Sequence, residues 1–178
     1  MATVFTIGHS TRELADFSRV LQAHDVRLLE DIRAFPMSRR YPHFNREKLE
    51  LWLPEIGCDY VWEKDLGGRR SRQMPAEESP NVALHNPSFR NYADYMLSSQ
   101  FQQAVERLVE QAQKKNTAIM CAEYVYFRCH RMLVADYLVS RGHTVLHILD
   151  EKAPTEHKLS KDARIVDDRL IYRGDYLI

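Results

Sequence analysis

The sequence predicts an α/β fold of three layers, a mostly parallel central sheet with helices on both faces. Three observations predict it. Short apolar runs such as "VFTI", "TAIM" and "TVLHIL" read as strands buried on both faces. Between them lie segments with apolar residues at helical spacing, the clearest being Phe101, Ala104, Val105, Leu108, Val109 and Ala112. The two kinds of segment alternate along the chain, as strand-helix-strand units require.

In order, residues 4–7 form the first strand and Gly8 ends it. "STRE" predicts a helix start in which Ser10 caps and Glu13, three residues on, reaches back. That helix runs to about His24 with Leu14, Phe17 and Leu21 on one face. "VRLLEDIR" is the second strand and closes on Asp31 and Arg33. "AFPMSRRYPHF", with two prolines and an arginine pair, is a loop. A helix from about Asn45 sets Leu49, Trp52, Leu53 and Ile56 on one stripe, limited by Pro54. "DYVWE" at 59–63 is a short third strand. Residues 66–87 lack periodicity and form a long irregular insertion in what reads as a single domain over 1–178. A short helix near "FRNYADYM" and a longer one from about Ser99 to Lys115 follow. "TAIMCAE" is a mid-sheet strand, and a helix from about Arg128 to Arg141 leads through Gly142 into "TVLHIL". The polar tail from Asp150 ends in "RLIYRGDYLI", an edge hairpin or a surface segment.

Hydrophobic residues make up 44% and charged residues 28%, and the formal net charge is zero. Any nucleic-acid role must therefore rest on a local patch. No apolar run approaches the ~18 residues of a membrane span, and "MATVFTIGHST" lacks the basic lead-in and apolar run of a signal peptide. A cytoplasmic protein with no membrane partner is expected. Cys58, Cys121 and Cys129 are an odd, unevenly spaced set, which is no disulfide framework. Nothing in the sequence fixes the oligomeric state.

Parallel sheets bind ligands outside the carboxyl ends of their strands. Here those ends are "GHS", "DIR", "WE", "CAE" and "HIL". The richest stretch is "CAEYVYFRCHRM", residues 121–132. Its C-x7-C spacing argues against a metal, because Cys129 and His130 as helix neighbours would point ~100° apart. A phosphatase-like loop needs five residues between cysteine and arginine; here there are six, without glycine. A dithiol pair of Cys121 and Cys129 stays open, with Cys121 read first as a small core residue. So does a site at the helix start, where dipole and flanking arginines lower a thiol pKa and His130 sits on the inward face near Glu123. His9 and Ser10 follow the first strand. Asp31 and Arg33 can pair with each other. Arg39, Arg40, Arg69, Arg70 and Arg72, interleaved with Tyr41, Phe44 and Trp62, suit phosphates and stacked bases, or form solvated loops.

"TIGHST", "DIRAFPMSRR" with "FN" after it, "LGGRR", "YADYM", and "CAE" followed by "RCHR" together resemble the domain of unknown function 488 family, in the same order and over nearly the whole chain. The resemblance implies a Rossmann-like sheet and a site, and no established reaction. Matched by position, the site residues are His9, Ser10, Asp31, Arg33, Arg39, Gly67, Gly68, Cys121, Glu123, Cys129, His130 and Arg131. Relatives carry a polar, proline-containing loop between the last two motifs where this chain has "YVYF". An aromatic loop favours stacking on a ring or packing.

The leading expectation is an enzyme that binds an anionic, phosphate-bearing substrate, nucleotide or nucleic acid at the C-terminal sheet edge. Arg33, Arg39, Arg69 and Arg131, with Ser10 and Asp31, would hold it. His130 and Glu123 would be the acid/base pair, with Cys129 and His9 as further catalytic candidates. No metal or cofactor is expected. Two other classes stay open: a non-catalytic module binding nucleic acid or protein, and a thiol-based redox or sulfur-transfer protein.

Overall fold

Strands that are apolar on both faces must be covered on both sides, and they are. The structure is a computed structural model that describes residues 1–174. The end of the expected tail segment, residues 175–178, lies outside the described residues. Strands β1 (Thr3–Gly8), β2 (Leu28–Asp31), β3 (Asp59–Trp62), β4 (Thr117–Cys121), β5 (Thr144–Ile148) and β6 (Thr155–Glu156) form one sheet in the order β3-β2-β4-β1-β5-β6. The first five run parallel and β6 pairs antiparallel to β5. Strands β7 (Ala163–Val166) and β8 (Arg169–Tyr172) form a separate two-stranded hairpin, so "RLIY" pairs with the residues before it and not at the edge of the main sheet.

Period-2 alternation divides the core. Val4, Ile119 and Val145 pack with residues of α3 (Pro87–Tyr95), α4 (Ser99–Lys114) and α5 (Arg131–Ser140). Ile7, Leu29, Ala118 and Met120 pack with residues of α1 (Leu14–Ala23) and α2 (Arg46–Trp52). The chain is thus an α/β protein of three layers. No helix among the described residues is long and apolar enough to cross a membrane.

Two helix starts differ from the sequence expectation. Ser10 does not cap α1: it lies in left-handed backbone (φ 51°), and α1 begins after Glu13 with no side-chain cap. Its amide instead donates to Ala122 O at 3.0 Å and so extends the β1–β4 ladder. Helix α5 begins at Arg131, three residues later than expected, so Cys129 stands before the helix in extended backbone. A short 3-10 turn over Tyr126–Arg128 uses up the intervening residues.

The insertion is irregular as expected, but it is anchored by buried polar groups. Asp94 of α3 accepts from Ser79 Oγ at 2.6 Å and Asn81 Nδ2 at 2.7 Å, and Asn81 Oδ1 accepts from the Tyr172 amide of β8 at 2.9 Å. Tyr92 and Tyr95 hydroxyls donate to the carbonyls of Leu66 and Asp65. Each bond gives a buried group its partner, as burial demands. From the same Tyr172 a buried relay runs through Asp136, His157 and His147 to Thr6. Tyr126 stacks on His147 with ring centroids 3.4 Å apart, so part of the aromatic "YVYF" loop packs.

Glu30 is buried on the α4 face of β2, with Oε1 unpartnered. Burial, and Glu63 beside it, push its pKa from 4.5 up to about 8. Between those values the native state holds a proton that the unfolded chain has released, so this group's contribution to stability falls as pH rises from 4.5 through 8. Glu30→Gln is expected to flatten that decline and raise the melting temperature at pH 8, by about 2–4 °C for each kcal/mol regained. Thermal unfolding of both proteins across this pH window checks it. An unchanged slope sinks the assignment.

Candidate active site

The helix faces follow from the strand order. β1 connects through α1 toward the β2 side on one face, and β4 connects through α5 toward β5 on the other. Adjacent strands β1 and β4 therefore send their chains in opposite directions, which opens a crevice between their carboxyl ends. A cavity of about 740 Å³ lies there. His9 and Ser10 follow β1, Arg33 follows β2, and Cys121, Ala122 and Glu123 end β4; all line it. Cys129 and His130 reach it from the start of α5, Arg128 from the turn before, and Arg40, Tyr41, Gly68 and Arg69 from the two long loops.

The floor holds two sulfurs and an imidazole. Cys121 Sγ, Cys129 Sγ and a ring nitrogen of His130 lie within 4.8 Å of one another. His130 Nε2 is 3.0 Å from the Ile32 carbonyl, which can only accept, so Nε2 carries the proton. Nδ1 is then the bare nitrogen, 3.4 Å from Cys129 Sγ. Cys129 is pulled below the ordinary thiol range by the hydrogen bond from Cys121 and, next, by the Arg131 guanidinium and the Arg131 amide, against the effect of burial. Cys121 is pushed up, by that same hydrogen bond and by burial. Of the two sulfurs, Cys129 therefore gives up its proton the more readily. Cys121 is thus part of the site floor rather than only a core residue.

Arg131 is buried and turned to the loop. Its Nη2 donates to the carbonyls of Glu123 and Tyr124, and it is absent from the cavity wall. Arg33 is spent largely on Asp31, through Nη2 at 2.5 Å and Nε at 2.9 Å, and on the Phe44 carbonyl at 2.8 Å. Tyr60 donates to the same carboxylate at 2.7 Å. Only the Nη1 edge of Arg33 turns to His9, 3.4 Å from its Nε2. Burial, then Arg33, hold His9 neutral with a pKa near 4; its Nδ1 faces the Ser10 carbonyl at 2.9 Å and its ring stacks on Phe44.

Glu123 sits exposed at the mouth, where its carboxylate accepts from the Tyr124 amide at 3.0 Å. The partners of His130 are the sulfurs and Ile32, so the structure joins His130 to the thiols rather than to Glu123. Arg39 is exposed and lies outside the cavity lining, whereas Arg69 lines it with its guanidinium 5.6 Å over the Phe35 ring. Sequence reading set Arg40 in an arginine surface suited to phosphates and Arg128 beside the helix start, and it named neither Ser88 nor Phe89. Arg128 had a local signal, a cation beside a helix start; Ser88 and Phe89 had none, since the insertion brings them in.

Two glycines make the arrangement possible. A Cβ on Gly8 would stand 2.7 Å from the Glu123 carbonyl carbon and 3.0 Å from Arg131 Nη2. One on Gly68 would stand 2.7 Å from His130 Cγ.

Ligand crevices of doubly wound α/β proteins lie at such a switch point, and this chain is of that class. The family model described as "Domain of unknown function DUF488" matches residues 13–138, and the chain belongs to that family. Comparison with curated proteins and with solved structures found no match.

Two outcomes check this geometry. With reductant and EDTA present, iodoacetamide at neutral pH should modify Cys129 well ahead of Cys58, whose thiol burial pushes up to about 12; equal labelling of the two in peptide mass spectra contradicts the thiolate. Gly68→Ala should displace the His130 ring and slow that labelling while the far-UV circular dichroism stays native. An unaltered rate means that the ring does not depend on this contact.

Proposed function

We propose that the chain is an enzyme whose substrate is a small phosphate-bearing anion, a nucleotide above all, bound in the crevice between the ends of β1 and β4. One observation carries the reading. Arg40, Arg69 and Arg128 line the crevice, and none of them is in an ion pair among the described residues. Against the Glu123 carboxylate at the mouth these three cations leave the wall net positive, so an arriving anion stabilises it. Guanidinium groups give planar, paired donors to phosphate oxygens. Phe35, Tyr41, Phe89 and Tyr124 on the same wall offer faces for a base, and about 740 Å³ is the size of a small-molecule site.

The reactive centre in this reading is the floor, where Cys121, Cys129 and His130 meet. His130 Nδ1 is the ring nitrogen facing it, oriented by the bond of Nε2 to the Ile32 carbonyl. Arg33 and Arg131 act by positioning: one fixes the end of β2 beside His9, the other fixes the Glu123–Tyr124 loop.

Calorimetric titration with pyrophosphate and with a nucleoside monophosphate tests the reading. Binding is expected to weaken about 10–100-fold in Arg128→Ala and in Arg69→Ala, the loss typical of hydrogen bonds to a charged group, and to fall as salt rises. No heat with either anion, or affinities indifferent to both substitutions, removes the anion-binding premise.

A second reading has its own observation, the nearness of the Cys121 and Cys129 sulfurs, with Cys129 pulled below the ordinary thiol range first by its hydrogen bond with Cys121. It makes the pair a thiol redox centre. Mild oxidation should then join Cys121 to Cys129, seen as one linked peptide after digestion, and reductant should reverse it. Oxidation to isolated sulfenic or sulfinic acids counts against it.

A further inference from the structure

We propose that Cys121, Cys129 and His130 are the ligands of a zinc ion whose fourth coordination position opens into the crevice. The inference rests on the reading that this crevice is the functional site, and it assigns the floor a chemistry.

The sequence argument against a metal assumed that Cys129 and His130 are neighbours on a helix. They are not. Cys129 is extended (φ −135°, ψ 154°) and His130 is already helical in conformation (φ −57°, ψ −14°), so consecutive side chains converge instead of diverging. With Zn–S near 2.3 Å and Zn–N near 2.0–2.1 Å, a tetrahedral ion holds its donors roughly 3.5–3.8 Å apart. Cys129 Sγ and His130 Nδ1 are 3.4 Å apart, and all three donor atoms fit within 4.8 Å.

Three further features belong to a metal centre. The bare Nδ1 is the nitrogen aimed at the sulfurs, while Nε2–H is fixed on the Ile32 carbonyl, the backbone partner that ligating histidines usually have. The Arg131 amide points at Cys129 Sγ from 3.5 Å, a donor that supports a charged sulfur. Two thiolates and a neutral imidazole offset a divalent cation, and soft sulfur donors with an imidazole select zinc over magnesium or calcium. Binding deprotonates both thiols and releases their protons to solvent.

All three ligand residues line the cavity, so the fourth position faces the arginine wall. Closed structural sites use four protein ligands, whereas three with an open position mark a site that binds water or substrate. An anionic oxygen held by Arg128 or Arg69 would approach the metal from that side.

Cobalt(II) titration of the full chain, stripped with chelator under reductant, tests the site. Expected are thiolate-to-cobalt charge-transfer bands and tetrahedral d–d bands that saturate at one ion per chain and vanish on addition of one equivalent of zinc. Cys129→Ser, Cys121→Ser and His130→Ala should each weaken binding by roughly 100-fold or more, since even partners behind the ligands contribute 10–100-fold. Cys58→Ala should leave the spectrum unchanged. On the wild-type chain, zinc should protect Cys121 and Cys129 together from iodoacetamide, which needs no folded variant. Absent charge-transfer bands, bands that survive Cys129→Ser, or full alkylation of both thiols in zinc overturns the proposal. A chain that binds pyrophosphate but not zinc loses the metal site alone; one that binds zinc but not pyrophosphate loses the anion reading alone.

Discussion

The site depends on one buried cation. Arg131 is among the largest fully buried side chains, and among the described residues it has no ion pair with a carboxylate. Its charge is compensated by the carbonyls of Glu123 and Tyr124 and by the Cys129 sulfur. An isolated charge in the interior is costly, so these groups must stay close to it. The guanidinium thereby ties the end of β4 to the start of α5 and favours a negative sulfur in the floor. Gly8 leaves room for that contact, because any side chain there would collide with the Glu123 backbone.

The sheet topology sets the scale above this. β1 and β4 are paired through Gly8↔Cys121, and the pairing continues past the strands as His9 N to Cys121 O and Ser10 N to Ala122 O, both 3.0 Å. Ser10 turns left-handed at that point, which sends the chain out toward α1 and leaves the crevice open. Backbone held in a sparsely populated conformation is characteristic of such edges. The Asp31–Arg33–Tyr60 cluster closes the third wall, beside which burial and then the Arg33 charge keep His9 neutral.

Much of the fold was legible because burial imposes periodicity. The apolar strands, the stripe of α4 and the irregular insertion all declared themselves by the presence or lack of pattern. The strand-end rule placed His9, Arg33 and Glu123 at one edge and the helix-start argument placed Cys129 there; all four line one cavity, as does Cys121, read first as a core residue. Roles were less legible. Arg33 and Arg131 read as free phosphate donors, yet Asp31 and Phe44 occupy most donors of Arg33, and Arg131 is buried with its Nη2 spent on the Glu123 and Tyr124 carbonyls. Periodicity reports which face is buried and carries no information about which partner a buried polar group finds there.

By itself the sequence determined the three-layer α/β fold, the family and which residues the strand ends bring to one edge of the sheet, since hydrophobic spacing and strand-end position are local properties of the chain. The tertiary structure decided which donors remain free and which atoms converge. A 3-10 turn over Tyr126–Arg128, pinned by Tyr126 on His147, delays α5 by three residues and leaves Cys129 extended. That small shift sets the two sulfurs and the imidazole side by side instead of around a helix, and it follows from packing against β5, a contact between segments some twenty residues apart in sequence.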